Sequence, residues 1–291
     1  MGNSMTGLDK EFGVERVIDT PVSEASCTGI AIGASLCGYR AVAIHPRMDF
    51  MILAMDQIVN QAAKWSHMLG GKAHPAVTVR SIINRGGEQG AQHSQALQSW
   101  FAHIPGLRVV MPYSAEDARD LLVASVLCDD PVLYIDDRWL YEAECELPST
   151  PNLTPLAKIG PKLIRMGEQV TLVGSSYATE LCVQAAEDLA KHSISADVID
   201  LRVINPINYD LIVSSVQKTG RLCVVDGGWS SCGLAGEIIA GVVERVSSPV
   251  VFKAKPARIT LPSAPAPTSK PLEQIYYPKA ADVVNAVRSM F

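Results

Sequence analysis

"GLRVVMPYSAEDARDLLVASVLCDDPVLYI" (106–135) contains a complete α/β unit. RVVMP (108–112) and PVLYI (131–135) are apolar bursts of strand length, and SAEDARDLLVASVL (114–127) between them has helical periodicity. Ser114 with Asp117 three residues on predicts a helix start, the acid standing where a capping box carries Glu. Strand, helix and strand in that order imply parallel strands with helices on the sheet faces.

The same rhythm extends both ways. RAVAI (40–44) and AVTVR (76–80) read as strands, and MILAMDQIVNQAAKW (51–65) and AQHSQALQSWFAH (91–103) as helices. It stops after Tyr141, where the proline-bearing stretch EAECELPSTPNLTPLAKIGPK has no sustained period and reads as a linker. A second α/β unit follows, with strands QVTLVGSS (169–176), ADVIDL (196–201), RLCVVD (221–226) and PVVFKA (249–254). Its helices are TELCVQAAEDLAKH (179–192), LAGEIIAGVVERV (234–246) and a terminal one over 280–290, reached through a proline-rich strap. The expectation is two doubly wound α/β domains, 1–142 and 163–291, joined by a linker over 143–162.

Composition narrows the function. With 48% hydrophobic and 19% charged residues the chain can build a large core. A net charge of −5 argues against nucleic-acid and anionic-membrane partners. No apolar run approaches the roughly 20 residues of a membrane span, and residues 1–20 do not read as a signal peptide. Seven scattered cysteines without a CxxC pair suggest reduced, mostly buried thiols in a cytoplasmic protein, not a metal site. Nucleotide-loop, zincin and serine-hydrolase motifs are all missing. GGWSSCG (227–233) reads as a tight strand-to-helix turn, with phosphate binding at the following helix start as the alternative.

Only six histidines occur, and His93 stands where a glycine-rich segment is expected to become a helix. It is either a surface or capping histidine or a proton-handling group at the mouth of a site.

DTPVSEASCTGIAIGASLCGYR (19–40), FMILAMDQIVNQAAKW (50–65) and GAQHSQALQSWFAHIPGLRVVMPYSAEDARDLL (90–122) carry a resemblance. Together they resemble the β subunit of the thiamin-diphosphate-dependent first component of 2-oxoacid dehydrogenases, of the pyruvate, branched-chain and acetoin type. The match is collinear to the C-terminus. The fold it implies is transketolase-like, a pyrimidine-binding domain followed by a transketolase C-terminal-like domain. The reaction it implies is decarboxylation of a 2-oxoacid, with the acyl group passed to a lipoyl acyltransferase.

The resemblance also assigns roles. Glu24 would hydrogen-bond the aminopyrimidine of thiamin diphosphate, although a carboxylate at a helix start is also what capping would place there. Phe50 would clamp the ring, and His93 would hold the substrate or move its protons, with Gln92 and Ser94 as supporting polar groups. His103 reads as structural. A G-D-G segment would hold the diphosphate and Mg²⁺, and none occurs in this sequence. An α subunit would therefore supply that half of the site in an α₂β₂ heterotetramer. A K⁺ ion held by main-chain carbonyls would fall near Ser125, Cys128 and Asp130.

Two departures stand out. The family begins a few dozen residues earlier, so the partner carries that piece, the sheet lacks a strand, or the start is trimmed. The approach to Phe50 reads IHPRMDF (44–50), which places His45, Arg47 and Asp49 beside the site. Arg47 would pair with an anionic substrate or stand as a loop cation. Two other functions remain open: a split transketolase-like or acyloin-forming transferase using an aldehyde acceptor, and a non-catalytic scaffold.

Overall fold

The computed structural model describes residues 5–291; the first four residues of the expected first domain lie outside the described part. The strands are β1 (Val42–His45), β2 (Thr78–Ile83), β3 (Arg108–Val110), β4 (Val132–Asp137), β5 (Lys162–Arg165), β6 (Val170–Gly174), β7 (Ala196–Asp200), β8 (Val203–Asn205), β9 (Leu222–Trp229) and β10 (Ala257–Leu261). They form two sheets, ordered β1-β2-β4-β3-β8 and β10-β9-β6-β7-β5. In each sheet four strands run parallel. The fifth, β8 or β5, closes one edge antiparallel. The expected doubly wound α/β architecture is the one observed.

The opening unit folds as its sequence implies. The helix Ala115–Leu127 starts at Ser114, whose hydroxyl accepts the Asp117 N–H at 3.1 Å. Leu121 and Ala124 turn onto the sheet, packing with Val110, Val132 and Tyr134.

β8 belongs to the second half of the chain yet pairs with β3 of the first sheet. Asn205 fixes it there, donating to the carbonyls of Ile104 (3.1 Å) and Leu107 (2.6 Å). One apolar cluster consequently spans both halves, joining Val109, Met111 and Ile135 to Val173, Ile199 and Ile204. Between the sheets, residues 143–155 run largely exposed until Leu156 is buried in a short 3₁₀ turn.

Four expectations need correction. The helix expected over 91–103 is confined to Gln98–Ala102. The segment before it makes a turn at 91–92 and then runs without helix, because Asp49 and Met48 accept the N–H groups of Gln95 and Leu97 that a longer helix would use. PVVFKA is not a strand: residues 249–251 form a 3₁₀ turn with Val250 exposed, and the ladder to β9 begins at Ala257. The helical stretch around 51–65 runs from Met48 to Met68 and includes a wide π-helical turn over Asp56–Ala62. Nor are the thiols mostly buried: all seven are free, but only Cys182 and Cys223 are buried. The short edge strands β5 and β8 have too few residues for a period, and the helix Asp210–Thr219, which buries Ile212, Ser215, Val216 and Thr219 at helical spacing and ends at Gly220, was not anticipated. Among the described residues no helix is long and apolar enough to cross a membrane.

Candidate active site

In an open parallel sheet the carboxyl ends of the strands leave a crevice for ligands. At that end of β1 the helix Glu24–Leu36 begins, packed against β1 and against the turn Ile52–Ala54. Glu24 is its first residue, half-buried, and Ser23 makes no side-chain cap. A carboxylate there faces the positive end of the helix dipole. One turn on, fully buried Thr28 shares a 2.9 Å hydrogen bond between its Oγ1 and Nε2 of His45, the last residue of β1. Burial pushes the His45 imidazole below its ordinary range, against a pull upward from the Glu24 charge.

The chain then turns through Arg47, Asp49 and Phe50, and each engages the loop that carries His93. Arg47 donates to the His93 carbonyl (3.1 Å) and to Gln89 Oε1 (2.9 Å). Asp49 accepts the Gln95 N–H at 3.0 Å with one carboxylate oxygen, while its other oxygen is buried without a partner. Burial raises the Asp49 carboxyl above its usual range, partly offset by the Gln95 hydrogen bonds. Phe50 is 38% exposed and meets the His93 ring edge-to-face, centroids 5.4 Å apart.

A second set of contacts holds the loop from the far half of the chain. Glu88, at φ 59°, donates its N–H to Glu273 Oε1 (2.8 Å), and its own carboxylate accepts the Lys270 N–H (3.1 Å). A side chain on Gly90 would run into Thr268. Beneath the loop, Arg85 pairs with Asp137 at 2.8 Å, both buried, and donates to the Gly227 carbonyl.

The structure therefore brings Arg47, Phe50 and His93 together at the end of β1 and puts Glu24 beside His45 at the same end. Gln92 is exposed, whereas Ser94 is buried with its hydroxyl unpartnered. His93 is not at a helix start; it sits in a loop, five residues before Gln98, where its N–H closes a turn on the Gly90 carbonyl. Arg47 is no free loop cation, because its guanidinium is committed to the loop. Thr28, Glu88 and Glu273 escaped the sequence reading; nothing local marks Glu273 as a neighbour of a residue 185 positions away.

Two other places resolve as well. The helix start after GGWSSCG is already occupied: Asp226 accepts the Ala235 N–H (3.2 Å) and Ser99 Oγ accepts that of Leu234 (3.1 Å). An anion has no vacant donors there, so the tight-turn reading holds. Near Cys128, its carbonyl accepts from Arg40 at 2.6 Å. Among the described residues no cluster of His, Cys, Asp and Glu suits a metal.

Residues 2–142 match the pyrimidine-binding domain of transketolase, and residues 161–283 match the transketolase C-terminal domain. The β subunit of acetoin:2,6-dichlorophenolindophenol oxidoreductase from Cupriavidus necator is 38% identical over 97% of this chain and 82% of its own length. The chain belongs to the transketolase-like β-subunit family of 2-oxoacid and acetoin dehydrogenases. The mitochondrial pyruvate dehydrogenase E1 β subunit of Bos taurus is 37% identical over 97% of this chain and 79% of its own. A solved split-gene transketolase, described as an inactive β₄ tetramer, superposes with a TM-score of 0.79 over 100% of this chain and 88% of its own. Its 20% identity shows a shared fold alone.

Proposed function

We propose that this chain is the β subunit of a heteromeric thiamin-diphosphate-dependent enzyme that decarboxylates a 2-oxoacid and passes the acyl group to a lipoyl partner. The observation that carries the reading is the Phe50–His93 contact at the carboxyl end of β1, beside the helix that starts with Glu24. The relatives named as dehydrogenase subunits favour it over a transketolase-like transfer to an aldehyde, and the assembled polar groups weigh against a scaffold.

The residues present fit the aminopyrimidine half of the cofactor. Phe50 keeps an open aromatic face, and the unpartnered oxygens of Asp49 and Ser94 leave acceptor and donor capacity in the corner. When bound, thiamin diphosphate supplies a carbon nucleophile and an electron sink for the decarboxylation. Glu24 would hold a proton against the ring nitrogen of the aminopyrimidine. Phe50 would fix the ring plane and exclude water. His93, braced through its carbonyl by Arg47 and at its ring by Phe50, would present its imidazole to the substrate's oxo or carboxylate oxygens.

The diphosphate and Mg²⁺ would be held by an α partner in an α₂β₂ assembly, since this sequence has no G-D-G. The division into domains at 142 and 163 belongs to the same reading. A main-chain K⁺ near Ser125, Cys128 and Asp130 fits poorly, because the Arg40 guanidinium already brings a positive charge to the Cys128 carbonyl. Free thiols suit a reducing compartment such as the cytoplasm.

The test is Glu24→Gln in the complex with its α partner. Gln keeps the shape but carries no acidic proton, so turnover should vanish while the complex still assembles. Near-normal turnover would remove Glu24 from the mechanism.

A further inference from the structure

Asp49 has no part in the reaction as derived so far, yet it is an acid only 4% exposed, in the same turn as Phe50. Buried acids are rare unless paired, and the partner of this one is the Gln95 N–H at 3.0 Å. Two residues earlier in each segment, Arg47 donates to the His93 carbonyl at 3.1 Å. We infer that Asp49, together with Arg47, is a positioning residue for catalysis: the two side chains grip the backbone on either side of Ser94 and so fix the His93 imidazole against Phe50. The inference rests on the role of His93 given above.

The grip is directional. A guanidinium, which can only donate, meets a carbonyl, and a carboxyl oxygen meets an N–H. Exchanging the two would leave both backbone groups without a partner. Ser94, between them, is buried with its hydroxyl unpartnered and adds no hold of its own. Met48 takes the Leu97 N–H through sulfur, a weaker acceptor placed further from His93.

The His93 ring needs such a support. Among the described residues it meets Phe50 but makes no hydrogen bond, so its direction follows the backbone beneath it. Gly90, three residues earlier, stands at φ +73° and leaves an untethered loop free to take other shapes. The clamp from Glu273 and Lys270 reaches only Glu88, five residues before His93. Burial favours the uncharged form of the Asp49 carboxyl, and that form still presents a carbonyl oxygen to the Gln95 N–H. Asparagine offers the same oxygen; alanine offers none.

That contrast supplies the test. In the complex with its α partner, Asp49→Ala should lower kcat per folded site about 10²-fold, the loss expected for a displaced catalytic group, with little change in the KM for thiamin diphosphate. Asp49→Asn should recover most of that kcat. In the full chain followed by nuclear magnetic resonance, the His93 ring signals, shifted by the neighbouring Phe50 ring, should move in Asp49→Ala and return in Asp49→Asn. A purely structural residue would lower the melting temperature and leave kcat per folded site unchanged. Full kcat in Asp49→Ala, or no recovery in Asp49→Asn, overturns the inference. If Asp49→Ala does not fold, Asp49→Asn must be active and Arg47→Met impaired with displaced His93 signals; any other result overturns it. Failure of the reading beneath it looks different: there His93→Ala stays active, and Asp49→Ala moves the His93 signals without lowering kcat.

Discussion

His93 makes contacts with its ring and with its backbone, and these two sets separate catalysis from positioning. The ring meets Phe50, while the carbonyl is held by Arg47. His93→Ala keeps the carbonyl contact and removes only the imidazole. Turnover in the complex should therefore fall about 10²- to 10⁴-fold, with the melting temperature little changed. A folded variant retaining nearly full activity would mark His93 as a structural loop residue. Arg85 behaves differently, because its whole environment is buried and its partner is Asp137. Arg85→Ala leaves an unpaired buried carboxylate, which costs about 3–5 kcal/mol, readable as a lower denaturation midpoint in urea. The family motifs drew attention in the sequence to Glu24, Phe50 and His93, which the fold places at the same end of β1. Thr28 was not marked at all, and Asp49 was placed near the site without its partner, because the bonds to His45 and to the Gln95 N–H exist only in the folded chain.

Elements with a strong internal pattern emerged where the sequence put them. The Ser114-capped helix is one: propensity, cap and apolar face agree. The 91–103 segment shows the opposite, because local periodicity suggested a helix while Asp49 and Met48 take the N–H groups of Gln95 and Leu97 that a helix would use. A single-residue change can probe the turn that ends the short helix. Gly106 sits at φ +88°, and a Cβ there would collide with the Ala63 carbonyl oxygen. Gly106→Ala should lose stability by more than the roughly 1–3 kcal/mol of backbone strain alone, measured by chemical denaturation. The Glu88–Glu273 clamp makes a second element-level prediction. Glu273→Ala frees the Glu88 N–H and should speed hydrogen exchange across residues 86–94 while leaving the β6–β7 ladder protected. Unchanged exchange in that loop would show that Arg47 holds it without help from the C-terminal strap.

At the scale of the whole molecule, the shared core and the strand β8 join the two halves, and neither was visible in a sequence whose linker suggested separation. A three-residue edge strand has too few side chains for a period, and its partner lies about a hundred positions earlier. The two parallel sheets were legible because buried strands read as apolar runs between helices. The fully buried Asp200 gives the chain a pH response of its own. Desolvation lifts its carboxyl to about 7, against a Thr179 hydrogen bond that pulls it down. The folded state thus binds a proton that the unfolded state releases near pH 4. Its contribution is fully present below that point and is lost as pH rises toward 7. Asp200→Asn should flatten the fall in stability between those limits, and an unaltered profile would assign the fall to other groups.

The central claim is that this chain builds only the aminopyrimidine half of a cofactor site that a partner completes. Titration calorimetry with thiamin diphosphate and Mg²⁺, on the chain alone and on its complex with the α partner, addresses it most directly. Weak binding to the chain alone and tight, Mg²⁺-dependent binding to the complex is the expected result; tight, Mg²⁺-dependent binding to the isolated chain would contradict it.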